Sequence, residues 1–163
     1  EAVEAMDDRT PTRILLTPQG EPLEQERVGT LARMERLLLI AGHYEGIDER
    51  AIEALSPLRL SIGDFVVSGG ELPAMLLVDA IARLQPSVLG HELSAAEDSF
   101  SVTDQSGSPL LDCPHYTRPR SWRGREVPEV LLGGDHAAID QWRLQQREER
   151  TRRMRPDLTP RDP

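Results

Sequence analysis

Apolar positions come in short runs separated by amphipathic stretches, and that alternation is the first guide to the fold. "RILLT" (13–17) is a β-branched and aliphatic run that stops at Pro18 and Gly20, which reads as a buried strand and a turn. In residues 23–36, Leu23, Val28, Leu31 and Met34 recur at roughly helical spacing. "LLLIAG" (37–42) reads as a second buried strand. Residues 47–55 predict a helix with Ile47, Ala51, Ile52 and Leu55 on one face. Asp48 and Glu49 lie in its first turn, where the helix dipole favours acids. "LRLSIGDFVV" (58–67) predicts a third strand running into a glycine turn. Residues 71–84 predict a strongly apolar helix that tolerates Pro73 in its first turn. Strands alternating with helices imply an α/β fold with a mostly parallel sheet.

Beyond residue 84 the periodicity fades. Residues 85–120 carry several prolines with Ser, Asp and Gly, and read as a linker or long functional loop. A short apolar segment, a Gly-Gly turn and a helix capped near Asp135 follow. The expected organisation is an α/β domain over 1–84, an interdomain linker and active-site loop over 85–120, and a small helical unit over 121–163.

The 163 residues, 38% hydrophobic and 29% charged, suit a globular chain with a real core. No run is long enough to span a bilayer, and no signal peptide is visible, so no membrane partner is expected. A single cysteine, Cys113, allows no disulfide within the chain and fits a reducing cytoplasm. The net charge of −9 argues against a polyanionic partner until its distribution is examined. Every basic residue is arginine, and six of them (Arg143, Arg147, Arg150, Arg152, Arg153, Arg155) crowd the last predicted helix. Such a patch can bind nucleic acid despite an acidic total. It is equally readable as a solvated face with ion pairs such as Glu149 to Arg153.

Three strands end in glycine-bearing turns, at 17–20, 41–48 and 61–73. In open α/β sheets ligands bind beyond the carboxyl ends of the strands, and glycine allows close backbone approach. Taken singly, each turn is ordinary punctuation between strand and helix. "GDFVVSGGE" has no Gly-Lys-Ser/Thr after it and does not match the dinucleotide fingerprint, so a phosphate cradle is unsupported. Glu45, between two glycines, is placed to face a cation or to remain an exposed acid near a helix start. Asp98, in "AEDSF", taken alone reads as a loop or cap residue. Asp112, Cys113 and His115, with His91 upstream, lack ligand spacing for a metal, and none is expected there.

Taken in order, "GHYEGIDER", "SIGDFVVSGGELPAMLLVDAIARL", "LGHE", "EDSF" and "LLDCPHYTRP" resemble the bacterial tRNA (guanine-N1)-methyltransferase family, TrmD, over nearly the whole chain. The resemblance implies a SPOUT-type α/β domain with a deep trefoil knot, an exception to the un-knotted rule. It implies S-adenosylmethionine bound against three loops that match residues 16–20, 42–45 and 61–70 here. The corresponding residues are Leu16 and Pro18; Gly42, Tyr44 and Glu45; Ser61, Ile62, Gly63, Asp64, Phe65, Val66 and Val67; and Gly69 and Gly70. It further implies a homodimer with the active site at the subunit interface, and methylation of N1 of guanosine 37 in tRNA, beside the anticodon. Asp98 matches the family's general base and Arg83 its catalytic arginine, while Glu45 matches a residue near the cofactor or the associated magnesium ion. The resemblance assigns His43 no role. The family starts with several dozen residues, including a first strand and a "GGGPGM"-like loop, that have no counterpart here. A catalytically impaired fragment serving as an RNA-binding or dimerisation module is therefore the alternative reading.

Overall fold

A computed structural model describes residues 2–6, 11–88 and 94–159. After a short helix α1 (Ala2–Ala5) come β1 (Thr12–Pro22), α2 (Gln25–Leu31), β2 (Leu37–Ala41), α3 (Glu49–Leu55), β3 (Leu58–Ser61) and α4 (Glu71–Ala82). Then follow α5 (Ser94–Glu97), a small hairpin of β4 (Ser121–Trp122) and β5 (Arg125–Glu126), and the long α6 (His136–Met154). The chain divides into two compact units, residues 1–91 and 92–163.

In the first unit β1 is the central strand of a parallel three-stranded sheet, in the order β2-β1-β3. A central parallel strand is covered on both faces, which is why Ile14, Leu15 and Leu16 are consecutively apolar and all buried. Ile14 and Leu16 pack with Leu31 of α2, Leu60 of β3 and Leu77 of α4 to form the core. β1 outlasts the turn expected at Pro18. It pairs with Leu60 twice, at Leu16 and again at Glu21, so residues 17–20 are thrown out of the ladder as a bulge. Only glycine fits at position 20: a Cβ there would overlap the backbone nitrogen of Leu60 and lie 2.5 Å from the carbonyl carbon of Arg59.

Three elements are shorter than their patterns suggest, each for a local reason. α2 stops at Leu31, and the Gln85 amide donates to the Ala32 carbonyl (3.0 Å), satisfying an orphan acceptor at the helix end. Met34 therefore lies beyond the helix, where its sulfur accepts from the Thr12 hydroxyl (3.1 Å). α3 begins at Glu49 because the Asp48 carboxylate caps it, accepting from the Arg50 N–H (2.9 Å). β3 ends at Ser61, whose hydroxyl accepts from the Gly63 N–H (3.2 Å) and donates to the Gly63 carbonyl (3.1 Å). This turn leaves residues 62–68 as loop rather than strand.

The second unit is built around α6. Asp135 caps it as expected, accepting from the Ala138 N–H (3.1 Å). The stretch without periodicity folds by local hydrogen bonds: Phe100 N–H to the Leu110 carbonyl (2.7 Å), and Leu110 N–H to the Val102 carbonyl (2.8 Å). Leu110 in this loop is fully buried, and the next residue ties the loop to α6, the Leu111 N–H donating to the Thr151 hydroxyl (2.8 Å). The Glu149–Arg153 pair that exemplified the solvated-face reading does not form among the described residues. Instead α6 turns Arg147 inward, 6% exposed, onto the Asp112 carboxylate at 2.7 Å. The other oxygen of Asp112 meets His115 Nε2 at 2.6 Å.

Burial pushes the Asp112 carboxyl up, but His115, the Cys113 N–H and the Arg147 charge outweigh it and hold the group below the usual carboxylate range. A depressed folded-state value means that its stabilisation is complete above the unfolded value, ~3.9, and is lost as pH falls through the folded one. Asp112→Asn leaves Arg147 buried without its counter-charge and should cost about 3 kcal/mol at pH 7. Urea unfolding at pH 7 and again below pH 4 checks this: the gap between variant and wild type should narrow in acid. Equal midpoints at pH 7 would refute it.

Candidate functional site

A cleft of about 410 Å³ opens at the carboxyl ends of the three parallel strands, lined wholly by residues 15–73. Each strand sends one loop to it. The β1 bulge contributes Leu16 and Pro18, with Thr17 and Gln19 beside them. The segment after β2 contributes Gly42, Tyr44 and Glu45. The segment after β3 contributes Ser61, Ile62, Gly63, Phe65, Val66, Val67, Gly69 and Gly70. Of the loop residues singled out from the sequence, Asp64 alone is absent from the lining. The walls also include Leu15, Ile47, Ile52 and Pro73, which the sequence offered only as core or helix residues.

The second and third loops are held together closely. The Gly70 N–H donates to the Gly42 carbonyl (2.9 Å), and His43 and Gly69 form an antiparallel bridge. Across this seam His43 Nε2 meets Glu71 Oε1 at 2.8 Å, joining the β2 loop to the first turn of α4. Gly70 makes the seam possible: a Cβ on it would sit 2.6 Å from Ala41 Cα and 3.0 Å from the Gly42 nitrogen. His43 is thus a clasp between two walls, a role no sequence pattern indicated.

The chemistry of the cleft is mixed. Tyr44, at a positive φ of 55°, is 98% exposed and leans on the His43 ring at 5.4 Å between centroids. Phe65 and Val66 are exposed apolar side chains, costly to leave in water and suited to a flat organic ligand. Two carboxylates line the cleft. Glu49 is engaged by Arg59 at 2.8 Å, whereas Glu45 makes no ion pair among the described residues. Glu45 is accordingly the one placed to face a cation.

The remaining candidates lie elsewhere. Arg83 caps the far end of α4, its N–H donating to the Asp79 carbonyl (3.0 Å). Twelve helical residues at 1.5 Å each separate it from the cleft end of α4 by about 18 Å. Asp98 belongs to the second unit, just after α5, and is half-buried, its carbonyl accepting from the Ser101 N–H (3.2 Å). His91 lies outside the described residues. The Asp112 carboxylate is taken up by Arg147 and His115, and burial pushes the Cys113 thiol up, away from the thiolate a metal needs. Among the described residues no three His, Cys, Asp or Glu side chains are arranged to hold a metal ion.

Known proteins resemble this chain along nearly all of its length. The sequence matches the family model described as tRNA (Guanine-1)-methyltransferase TrmD over residues 1–161. It is 57% identical over 148 residues to the tRNA (guanine-N(1)-)-methyltransferase of Chromohalobacter salexigens, covering 90% of this chain and 53% of the relative. It is 53% identical over 157 residues to the Idiomarina loihiensis protein of the same name (96% and 60%), and 54% identical over 158 residues to that of Halorhodospira halophila (97% and 58%). The chain therefore spans little more than half the length of these relatives. A match along almost all of this chain, with identity above one half, leaves one conclusion: the chain belongs to the tRNA (guanine-1)-methyltransferase TrmD family.

Proposed function

We propose that the chain acts in S-adenosylmethionine-dependent methylation of N1 of guanosine 37 in tRNA. The observation that carries this reading is the convergence of three strand-end loops, clasped by His43 and Glu71, into one cleft in a chain of this family. The glycine-rich walls present backbone for an adenosine. Phe65 and Val66 offer apolar contact, and Glu45 puts a negative charge on the rim. The cofactor supplies an electrophilic methyl group on a sulfonium, and Glu45 favours that positive charge before transfer.

Guanine N1 carries a proton at neutral pH and is a poor nucleophile. Asp98 takes up that proton as N1 forms its bond to the methyl carbon and the carbon–sulfur bond breaks. Arg83 offsets the negative charge that deprotonation places on O6. A magnesium ion, if the reaction uses one, would find Glu45 the nearest unpaired carboxylate of the cleft lining.

Arg83 lies at the opposite end of α4 from the cleft, and this favours an active site completed by a second copy. Leu72, Met75, Leu76 and Val78 of α4 are each more than half exposed, which fits a helix face covered on homodimerisation. The trefoil knot belongs to the same proposal, as do residues 85–120 as active-site loop and 121–163 as tRNA-binding unit. No helix among the described residues is long and apolar enough to cross a membrane. Action on tRNA fits a cytoplasmic enzyme.

Asp98→Ala should leave cofactor affinity nearly unchanged and lower methyl transfer to unmodified tRNA by about 10²-fold or more. Calorimetry and a labelled-methyl assay measure the two, and normal turnover in the variant would remove Asp98 as base. Wild-type binding without transfer would instead select the non-catalytic module. Gly70→Ala should part the clasped loops and weaken cofactor binding at least tenfold, with tRNA binding retained. Met75→Glu should shift the chain toward monomer in sedimentation; an unchanged dimer, or a wild type that is already monomeric, counts against the α4 interface.

A further inference from the structure

The second unit has a cleft of its own, about 720 Å³, bounded by residues 113–120, by the turn at Glu129–Leu132 and by α6. At its base lies Arg147, more than nine-tenths buried. One guanidinium nitrogen, Nη2, is spent on Asp112; the other, Nη1, is buried with no hydrogen-bond partner among the described residues. A buried donor without an acceptor is costly, and folded chains seldom leave one unless something else supplies the acceptor.

The rest of the lining narrows the choice of what that is. Trp142 and Tyr116 form an aromatic wall, their rings 6.3 Å apart and tilted by 53°. Arg118 is exposed on the rim and has no ion-pair partner among the described residues. Among the described residues Arg143 and Arg120 have only long contacts to acids: Arg143 to Asp140 at 3.6 Å, and Arg120 to Glu126 at 3.8 Å and Glu129 at 3.6 Å. An aromatic wall beside unsatisfied guanidinium groups suits a ligand with a flat π-face and an anionic group, which describes a nucleotide. A volume within the roughly 300–1,000 Å³ range of ligand pockets accommodates one.

A polymer is favoured over a free nucleotide because guanidinium groups continue beyond the cleft. Pro114 is shared with a neighbouring depression lined by Gln146, Glu149, Arg150 and Arg153, two arginines to one acid, one to two turns further along α6. We propose that this cleft takes one unstacked nucleotide of the RNA substrate. The base lies on Trp142, an acceptor oxygen of the nucleotide meets Arg147 Nη1, the phosphate lies between Arg118 and Arg143, and the chain runs on toward Arg150 and Arg153. The inference rests on the tRNA reading above, and it adds a specific subsite within the second unit to a general basic surface.

The test uses the full chain carrying Trp122→Phe, which leaves Trp142 as its only tryptophan. Unmodified tRNA is titrated while Trp142 emission and the anisotropy of end-labelled tRNA are followed. Saturable quenching with the same midpoint as the anisotropy is expected. Trp142→Leu should weaken tRNA binding about tenfold and Trp142→Phe should restore most of it, as stacking requires. Arg118→Gln should lower the slope of log Kd against log salt by about one. Cofactor affinity should be unchanged throughout.

Tight tRNA binding with silent Trp142 emission would overturn the subsite and leave the methyltransferase reading standing; so would Trp142→Leu binding tRNA like wild type. Equal quenching by guanosine monophosphate at the same midpoint would overturn the polymer assignment. A wild-type chain that binds cofactor but no tRNA would refute the tRNA reading itself, and the subsite with it.

Discussion

Backbone-to-backbone approach at two glycines is the constraint on which the first unit depends. At Gly20 the returning arm of β1 lies so near β3 that any side chain would occupy the space of the Arg59–Leu60 peptide. At Gly70 the entrance to α4 lies against Ala41 and Gly42 in the same way. The first contact sets residues 17–19 outward as one wall of the cleft; the second draws the other two walls together. The core beneath, Ile14, Leu16, Leu31, Leu60 and Leu77, would pack an ordinary parallel sheet equally well. The glycines turn three strand ends into a single concavity, and the His43–Glu71 contact then fixes its width.

The second unit solves a different problem. It has few periodic apolar faces and little regular structure outside α6, so it relies on directed polar contacts where the first relies on packing. The Asp112 carboxylate accepts from the Cys113 N–H, from Arg147 and from His115, while the Asp112 N–H donates to the Ser99 hydroxyl, and so an irregular segment is linked to a helix at one residue. Removing one member of such a cluster leaves the others desolvated and unpaired, which is why a few polar groups can stabilise a segment that buries only Leu110 and Cys113.

Elements whose signal is local were legible in the sequence. The consecutive aliphatics of β1 and β2, the apolar run of α4 and the Asp135 cap each encode their structure within a few residues. What escaped depends on partners distant in the chain. The end of α2 is met by Gln85, and the end of β3 by a serine turning onto its own backbone. Arg147 looked like one more surface arginine, since nothing in its neighbourhood announces Asp112, thirty-five positions earlier. The same holds at the candidate site. The loop residues converge because strand ends must, whereas Asp64 points out of the lining for reasons its neighbours do not encode, and the clasp of His43 on Glu71 spans two elements.

The arginines show how a chain of net charge −9 can still present local positive charge. Arg27, Arg50, Arg59 and Arg155 are each matched with a nearby acid at 2.6–2.8 Å, and their fields largely cancel at a Debye length. Arg118, Arg150 and Arg153 are not so matched among the described residues, and all three lie on or beside the two depressions along α6. Net charge therefore says little about the partner. What a partner meets is the uncompensated fraction, and part of that fraction, Arg118, Arg150 and Arg153, lies on or beside α6 near an aromatic wall. Long-range repulsion from the acidic remainder would disfavour nonspecific polyanions, while close contact at α6 would reward one that can insert a base.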